Sequence, residues 1–435
     1  MKIAYFTPVS PQRSGISDYS ERELIPHLSK FVEMDIFVDK SVTPTNKDLK
    51  EHFDIYSYKE YEMLKGCYDI AVYNMGNNSL HKYIYNTLLK DPGIAILHDI
   101  YLYGVLWSIS LAKGNSERYI DEWRYCYGDR GAQIARTDMA SGNQLEFEYT
   151  LTRRIIDNSL GVICHSDFGV SKIVDEGLTY NITKINQPFT VSDDHLNMKL
   201  IDSQALKAKL GLEDMGPTIT SFGFISAHKR YPILLKAFER FLKRYPKAKL
   251  LLVGEDAMGI KKMVESMKLS GAVIITGYVP HSRLMDYLAA SDFCVNLRYP
   301  TAGETSRSVL QIMASAKPVI VSNVGWFREI PDRCCLKLDV DSYEEDMLVE
   351  YMHLLASDEM ARSTIARSAQ AYVADVHNPE KAASDVYAFI KDVLNGNETI
   401  LGRVSAELAD LKIDETDDEI IGYICERVSG LVRGW

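Results

Sequence analysis

Residues 298–329 read RYPTAGETSRSVLQIMASAKPVIVSNVGWFRE. Thr301–Ser306 is a polar loop that sets a glycine beside a carboxylate, Val309–Ala314 is an apolar run at helical spacing, and Pro318–Val321 is a short buried strand entered through proline. A loop that opens a helix can bind an anion, because the first turn carries N–H groups without intrahelical partners and the positive end of the peptide dipoles. Thr305 or Ser306 would cap that turn, and Glu304 just ahead of it could hold a hydroxylated group next to a phosphate. The same residues fit an ordinary capped helix in an α/β core, and the chemistry of the stretch alone leaves both readings open.

The chain is long enough, at 435 residues, for two domains that each bury a core. Its 46% apolar and 25% charged residues are those of a soluble globular protein. A net charge of -11 argues against a general nucleic-acid surface, since phosphate backbones are held by clustered lysine and arginine. The opening MKIAYFTPVS is interrupted too soon by proline for a signal peptide, and no 18-residue apolar run follows. Seven scattered cysteines without metal-type spacing imply a reduced, cytoplasmic protein.

Taken in order, Lys2–Pro8 is a predicted strand, followed by a loop containing Gly15 and Asp18 and then an amphipathic run from Ser20 to Ser29. Gly15 suits a tight turn as well as a ligand contact. Strands at Val32–Val38, Asp69–Tyr73 and Gly93–Leu97 continue the series, and the last ends in His98-Asp99. A histidine at the carboxyl end of a parallel strand faces the ligand crevice of such sheets, although a purely structural histidine fits equally. Residues 101–158 are aromatic-rich and helical in pattern, either a wall of the site or a cap packed on itself. After a strand at Leu160–Cys164 and an N-cap at Ser166, the polar stretch to Ser203 has the composition of a linker, which places the domain boundary at 195/196.

The second half begins with a strand, Thr218–Phe222, ending at Gly223 and followed by Lys229 and Arg230 at a helix start. Cations there would neutralise a diphosphate, or would simply be solvated. Strands at Lys249–Val253 and Val273–Thr276 follow, the latter leading into Gly277-Tyr278-Val279-Pro280. Asp339-Val340-Asp341 is read as a solvated loop and not as a metal site.

The quoted stretch resembles the donor-site signature of retaining nucleotide-sugar glycosyltransferases of family 4, with Gln311-Ile312-Met313-Ala314 standing where Glu-Ala-Met-Ala is expected. Glu304 takes the first glutamate's place, seven positions before Gln311 and one fewer than is usual. The resemblance implies a GT-B fold: an α/β protein of two Rossmann-like domains facing each other across a cleft, residues 1–195 and 196–377. A helix at 378–396 would cross back onto the first domain, and a helical tail at 397–435 would offer a partner or oligomer surface. It also implies that Glu304 and His98 orient the transferred sugar and that Lys229 and the amides of Thr305, Ser306, Arg307 and Ser308 hold the diphosphate. Gly15, Gly223, Tyr278, Val279 and Gln311 would complete the donor site, and Asp18 and Asp99 would lie on the acceptor side. Phe224 occupies the place of the family's arginine, leaving Arg230 or Arg298 as a substitute.

The expected activity is transfer of a hexose from a GDP-mannose or UDP-hexose type donor to a glycan or lipid-linked acceptor in polysaccharide assembly. No cofactor, metal or nucleic acid is expected, and the acceptor allows peripheral contact with the inner membrane face. The alternatives are a GT-B isomerase or a non-catalytic homologue that binds nucleotide sugars, for which Gln311 and Phe224 are the motive.

Overall fold

The computed structural model describes residues 1–142, 145–177, 181–198, 203–212 and 216–410. The chain forms two compact units, one of Met1–Gln187 with the segment from Pro379 onward, the other of Pro188–Asn378. The first crossing lies ahead of the expected 195/196 boundary because residues after Gln187 are held by the second unit: the Phe189 N–H donates to the His377 carbonyl at 2.8 Å.

The first unit is built on a seven-stranded parallel sheet of β1 (Lys2–Phe6), β2 (Glu33–Val38), β3 (Ile55–Ser57), β4 (Ile70–Met75), β5 (Gly93–Leu97), β6 (Ser159–Cys164) and β7 (Ile182–Lys184). Their order is β3-β2-β1-β4-β5-β6-β7. Ile3, Ala4, Tyr5 and Phe6 are all fully buried, as expected of a parallel strand covered on both faces, whose sequence is apolar throughout and does not alternate. The edge strands β3 and β7 have three residues each, too few for a periodic signal.

Residues 101–158 fold mainly into helices Tyr103–Ile109, Ser116–Ser141 and Arg153–Asp157. The long one breaks at Tyr127-Gly128, where Gly128 takes a left-handed φ of 65°. This insertion has its own interior: the Asp138 carboxylate accepts from Tyr103 Oη at 2.9 Å and Tyr119 Oη at 2.6 Å, and Trp123 is fully buried beside them. It is therefore a cap that packs on itself and on the sheet.

The helix Pro379–Asp410 returns to the first unit, where Ala382, Ala383, Val386, Ile390 and Val393 join the core under β1 and β2. It lies so close to β6 that a Cβ on Gly161 would sit 2.9 Å from both Phe389 and Val393 side chains. The expected tail beyond residue 410 lies outside the described residues.

The second unit holds a six-stranded parallel sheet of β8 (Thr218–Phe222), β9 (Lys249–Val253), β10 (Val273–Gly277), β11 (Phe293–Asn296), β12 (Val319–Ser322) and β13 (Leu336–Leu338), in the order β10-β9-β8-β11-β12-β13. Both sheets thus share one winding, with strand order reversing between β1 and β4 in the first and between β8 and β11 in the second. Loops that follow the strands flanking such a reversal form the ligand crevice of an open α/β sheet.

At the start of the helix Tyr231–Leu242, Arg230 forms a two-pronged ion pair with Glu344, whose side chain is 2% exposed. The pair joins that helix to the helix Glu344–Ser357. Arg230→Met strands a buried carboxylate and should cost on the order of 3 kcal/mol of stability, read from the denaturant midpoint.

Candidate functional site

In the second unit the two loops after the switch-point strands meet. Gly223, directly after β8, has a φ of 102°, and a Cβ there would come within 2.5 Å of Lys229 Nζ and 3.2 Å of Ser308 Oγ. Lys229 therefore arches back over the end of β8 and reaches the first turn of the helix Arg307–Ala314. Gly254, directly after β9, is equally tight, since a Cβ on it would lie 2.2 Å from the Gly223 carbonyl oxygen. Side chains at these two positions would displace the ammonium group or the backbone that carries it.

After β11 the chain forms the loop that opens the sequence reading. Arg298 pairs with Glu304 at 2.8 Å, Thr301 Oγ1 donates to the other Glu304 oxygen at 2.9 Å, and the Gly303 N–H donates to Thr301 Oγ1 at 3.1 Å. Gly303 has a φ of 78°, the left-handed conformation that lets the loop turn within so few residues. Ser306 caps the helix by accepting from the Val309 N–H at 3.4 Å. Thr305 and Ser306 are buried, Arg307 and Ser308 are half-buried, and Arg307 also lies 5.0 Å above the Phe189 ring. The Tyr299 N–H donates to the His228 carbonyl at 2.8 Å, which ties this loop to the Lys229 turn.

The electrostatics of this corner are unusual for a free protein. Lys229 is 9% exposed, and burial, followed by the nearby Arg298, holds its ammonium pKa well below the usual lysine range, with Glu304 acting in the opposite sense. The same influences, burial first, depress His228 to about 4. Lys229 has no hydrogen-bonding or ionic partner among the described residues.

Other expected donor residues lie differently. Arg230 is committed to Glu344 and is not placed to act as the substitute cation, whereas Arg298 lies inside the cluster. Gln311 is buried, its amide 2.5 Å from His195 Nε2 and 3.2 Å from Met285 Sδ, so it is engaged within the core. His195 comes from the segment read as linker, where its Nδ1 accepts the Ser192 N–H at 3.0 Å. Nothing in its sequence neighbourhood pointed to Gln311. Tyr278 is 58% exposed and Val279 half-buried on the loop after β10.

In the first unit His98 is buried at the end of β5, its Nε2 3.2 Å from Asn74 Oδ1, with Tyr19 edge-on at 4.4 Å and the His165 ring at 4.9 Å. Burial, then His165 and His81, keep it uncharged with a pKa well below the ordinary value. His81 and His165 are likewise pushed down to about 4, mainly by burial. Asn74 organises the group, donating to the Phe6 carbonyl at 3.1 Å while its own carbonyl contacts His81 Nδ1 at 2.9 Å. Asp99 accepts the Asn77 N–H at 2.7 Å and so braces the turn after β4. Gly15 is exposed at the start of the first helix, and Asp18 is partly exposed and pairs with Arg22 at 3.4 Å. Glu21, which sequence reasoning passed over, accepts from the Ser10 N–H at 2.6 Å, Ser10 Oγ at 2.8 Å and Asn46 at 3.1 Å, fixing the loop after β1.

The neutral histidines set a pH dependence. Between about 6.5 and 4 the unfolded chain takes up protons at His81 and His165 that the folded chain refuses, so stability falls as pH falls through this window. The slope should be on the order of 1 kcal/mol per pH unit for each histidine. His81→Gln should flatten the fall in denaturant midpoint between pH 6.5 and 4.

Residues 202–392 match the family model of glycosyl transferases group 1. Among curated proteins, the alpha-monoglucosyldiacylglycerol synthase of Streptococcus pneumoniae is 27% identical over 183 residues, 39% of each chain. That of Acholeplasma laidlawii is 25% identical over 177 residues, 38% of this chain and 43% of the relative. These matches thus span about two-fifths of the relatives' length. Among solved structures, Anabaena HepE in complex with UDP-glucose superposes with a TM-score of 0.61 at 15% identity, over 91% of this chain and 100% of the other. Sucrose-phosphate synthase from Thermosynechococcus elongatus gives 0.62 at 16% identity, over 91% and 99%. At such identities the structures speak for the fold, and the family model speaks for the second unit. The chain has the GT-B fold, and its second unit is similar to the group 1 glycosyl transferases.

Proposed function

We propose that this protein transfers a hexose, with retention of configuration, from a nucleoside-diphosphate sugar to a hydroxyl of a glycan or lipid-linked acceptor. The observation that carries this reading is the buried Lys229, without a hydrogen-bonding or ionic partner among the described residues, at the mouth of the helix Arg307–Ala314 and next to the Arg298–Glu304 pair. A buried ammonium group beside the N-terminus of a helix is suited to an anion that arrives with the substrate. The relatives add to it: HepE was solved with UDP-glucose, and the matched curated proteins are glycolipid synthases by name.

In the proposed reaction the bond from the sugar's anomeric carbon to the diphosphate oxygen breaks as the acceptor oxygen bonds to that carbon on the same face. The acceptor proton passes to the departing diphosphate oxygen, so no protein base is required. Catalysis is then positioning plus stabilisation of the leaving charge. Lys229 and the amides of Thr305 to Ser308 take the diphosphate, and this cationic provision makes the reaction independent of a metal. Glu304 hydrogen-bonds the sugar hydroxyls, and His98 is a second sugar contact through its neutral ring. Gln311, engaged with His195, contributes by holding the helix in place. Among the described residues no helix is long and apolar enough to cross a membrane.

Incubation with labelled UDP- and GDP-hexoses is the direct test. Transfer or slow hydrolysis supports the reading, interconversion of sugars would indicate an isomerase, and binding without turnover a non-catalytic homologue. Glu304→Ala should lower turnover by well over tenfold, since one positioned electrostatic contact is worth a few kcal/mol in the transition state. Lys229→Met should lower it at least as much and yet raise the denaturant midpoint. The folded pKa of Lys229 lies below its unfolded value, so below about pH 10 its burial destabilises the fold.

A further inference from the structure

The charges of the second unit's switch-point corner do not balance. Lys229 and Arg298 are both more than nine-tenths buried, and among the described residues Glu304 is the carboxylate that pairs with this corner, so two basic side chains face one acid. The Arg298 guanidinium lies with its Nε 2.8 Å from a Glu304 oxygen as an ion pair, and among the described residues its side chain makes no hydrogen bond. A guanidinium has five donors in a planar fork, and the two terminal groups match a pair of phosphate oxygens. The backbone sets this fork beside the ammonium: the Arg298 N–H is fixed by Ser322 Oγ at 2.8 Å, and the next residue's N–H by the His228 carbonyl at 2.8 Å.

We infer that Arg298 is the second phosphate ligand of the donor site, held on Glu304 while the site is empty, and that an arriving diphosphate draws the guanidinium away and frees the Glu304 carboxylate for the sugar. This rests on the donor-site reading above and adds to it a residue and an order of events. Glu304 competes with phosphate for Arg298, so the carboxylate is presented to a sugar only when a diphosphate is in place. Lys229 has no such competitor and acts as the first point of capture.

The test is calorimetric titration of the full chain with UDP and GDP, and with UMP and GMP as single-phosphate controls, on wild type and on Arg298→Gln, Glu304→Gln, the double variant and Lys229→Met. Arg298→Gln should weaken diphosphate binding about 10- to 100-fold, the range of one charge-assisted hydrogen-bonded contact, and monophosphate binding much less. Glu304→Gln should tighten diphosphate binding, and that gain should vanish in the Arg298→Gln background, which is the signature of coupling between the two side chains. Arg298→Lys, which keeps the charge and the pairing with Glu304, should fold as wild type and restore only part of the affinity. If Arg298→Gln or, should it misfold, Arg298→Lys binds diphosphates like wild type while Lys229→Met does not, the inference falls and the donor site stands. An equal gain from Glu304→Gln in both backgrounds would also overturn it. If wild type binds neither diphosphate, the donor site falls as well.

Discussion

A buried lysine that makes no ion pair or side-chain hydrogen bond among the described residues is the constraint around which this corner of the second unit is arranged. Removing a charged lysine from water costs several kcal/mol unless another group supplies compensation, and the Lys229 turn, the Arg298–Glu304 pair and the amide-rich helix start are arranged around that cost. Gly223 and Gly254 belong to the same constraint. Each lacks a side chain where the returning lysine or the neighbouring backbone leaves no room for one, so the ends of β8 and β9 can close upon the ammonium.

The two units apply one topology to opposite electrostatic ends. In the second, the switch point gathers cations. In the first, it gathers uncharged polar rings: buried His81, His98 and His165 pack with Asn74 and Tyr19. A neutral histidine can donate or accept a hydrogen bond without imposing a charge, a property suited to sugar hydroxyls and unsuited to phosphate. Glu21 accepts from the Ser10 N–H, the Ser10 hydroxyl and Asn46, and Asp99 accepts from the Asn77 N–H, so both brace these loops.

The strands and the helix start were legible in the sequence because their signals are local. β5 and β9 carry apolar runs ended by histidine and by glycine, and Ser306 precedes a helical repeat at capping distance. The partners of the charged residues were not legible, since pairing depends on which loops the topology brings together. Arg230 and Arg298 look alike in sequence, yet one is drawn to Glu344 across 114 positions and the other to Glu304 across six. Gln311 could be recognised as a departure from the family pattern, but its contact with His195 joins a helix to a segment whose polar composition resembles a linker. The short edges β3 and β7 were missed for the opposite reason: they are strands by virtue of a neighbour, with little preference of their own.

The second unit is one continuous stretch of chain, while the first is assembled from two pieces separated by it. The late piece is not an accessory: Ala383, Val386, Ile390 and Val393 fill the core beneath β1 and β2. During synthesis from the ribosome, the second unit can therefore reach its final packing while the earlier-made sheet still exposes one greasy face. The half that is translated first is the half that is finished last, once that helix emerges.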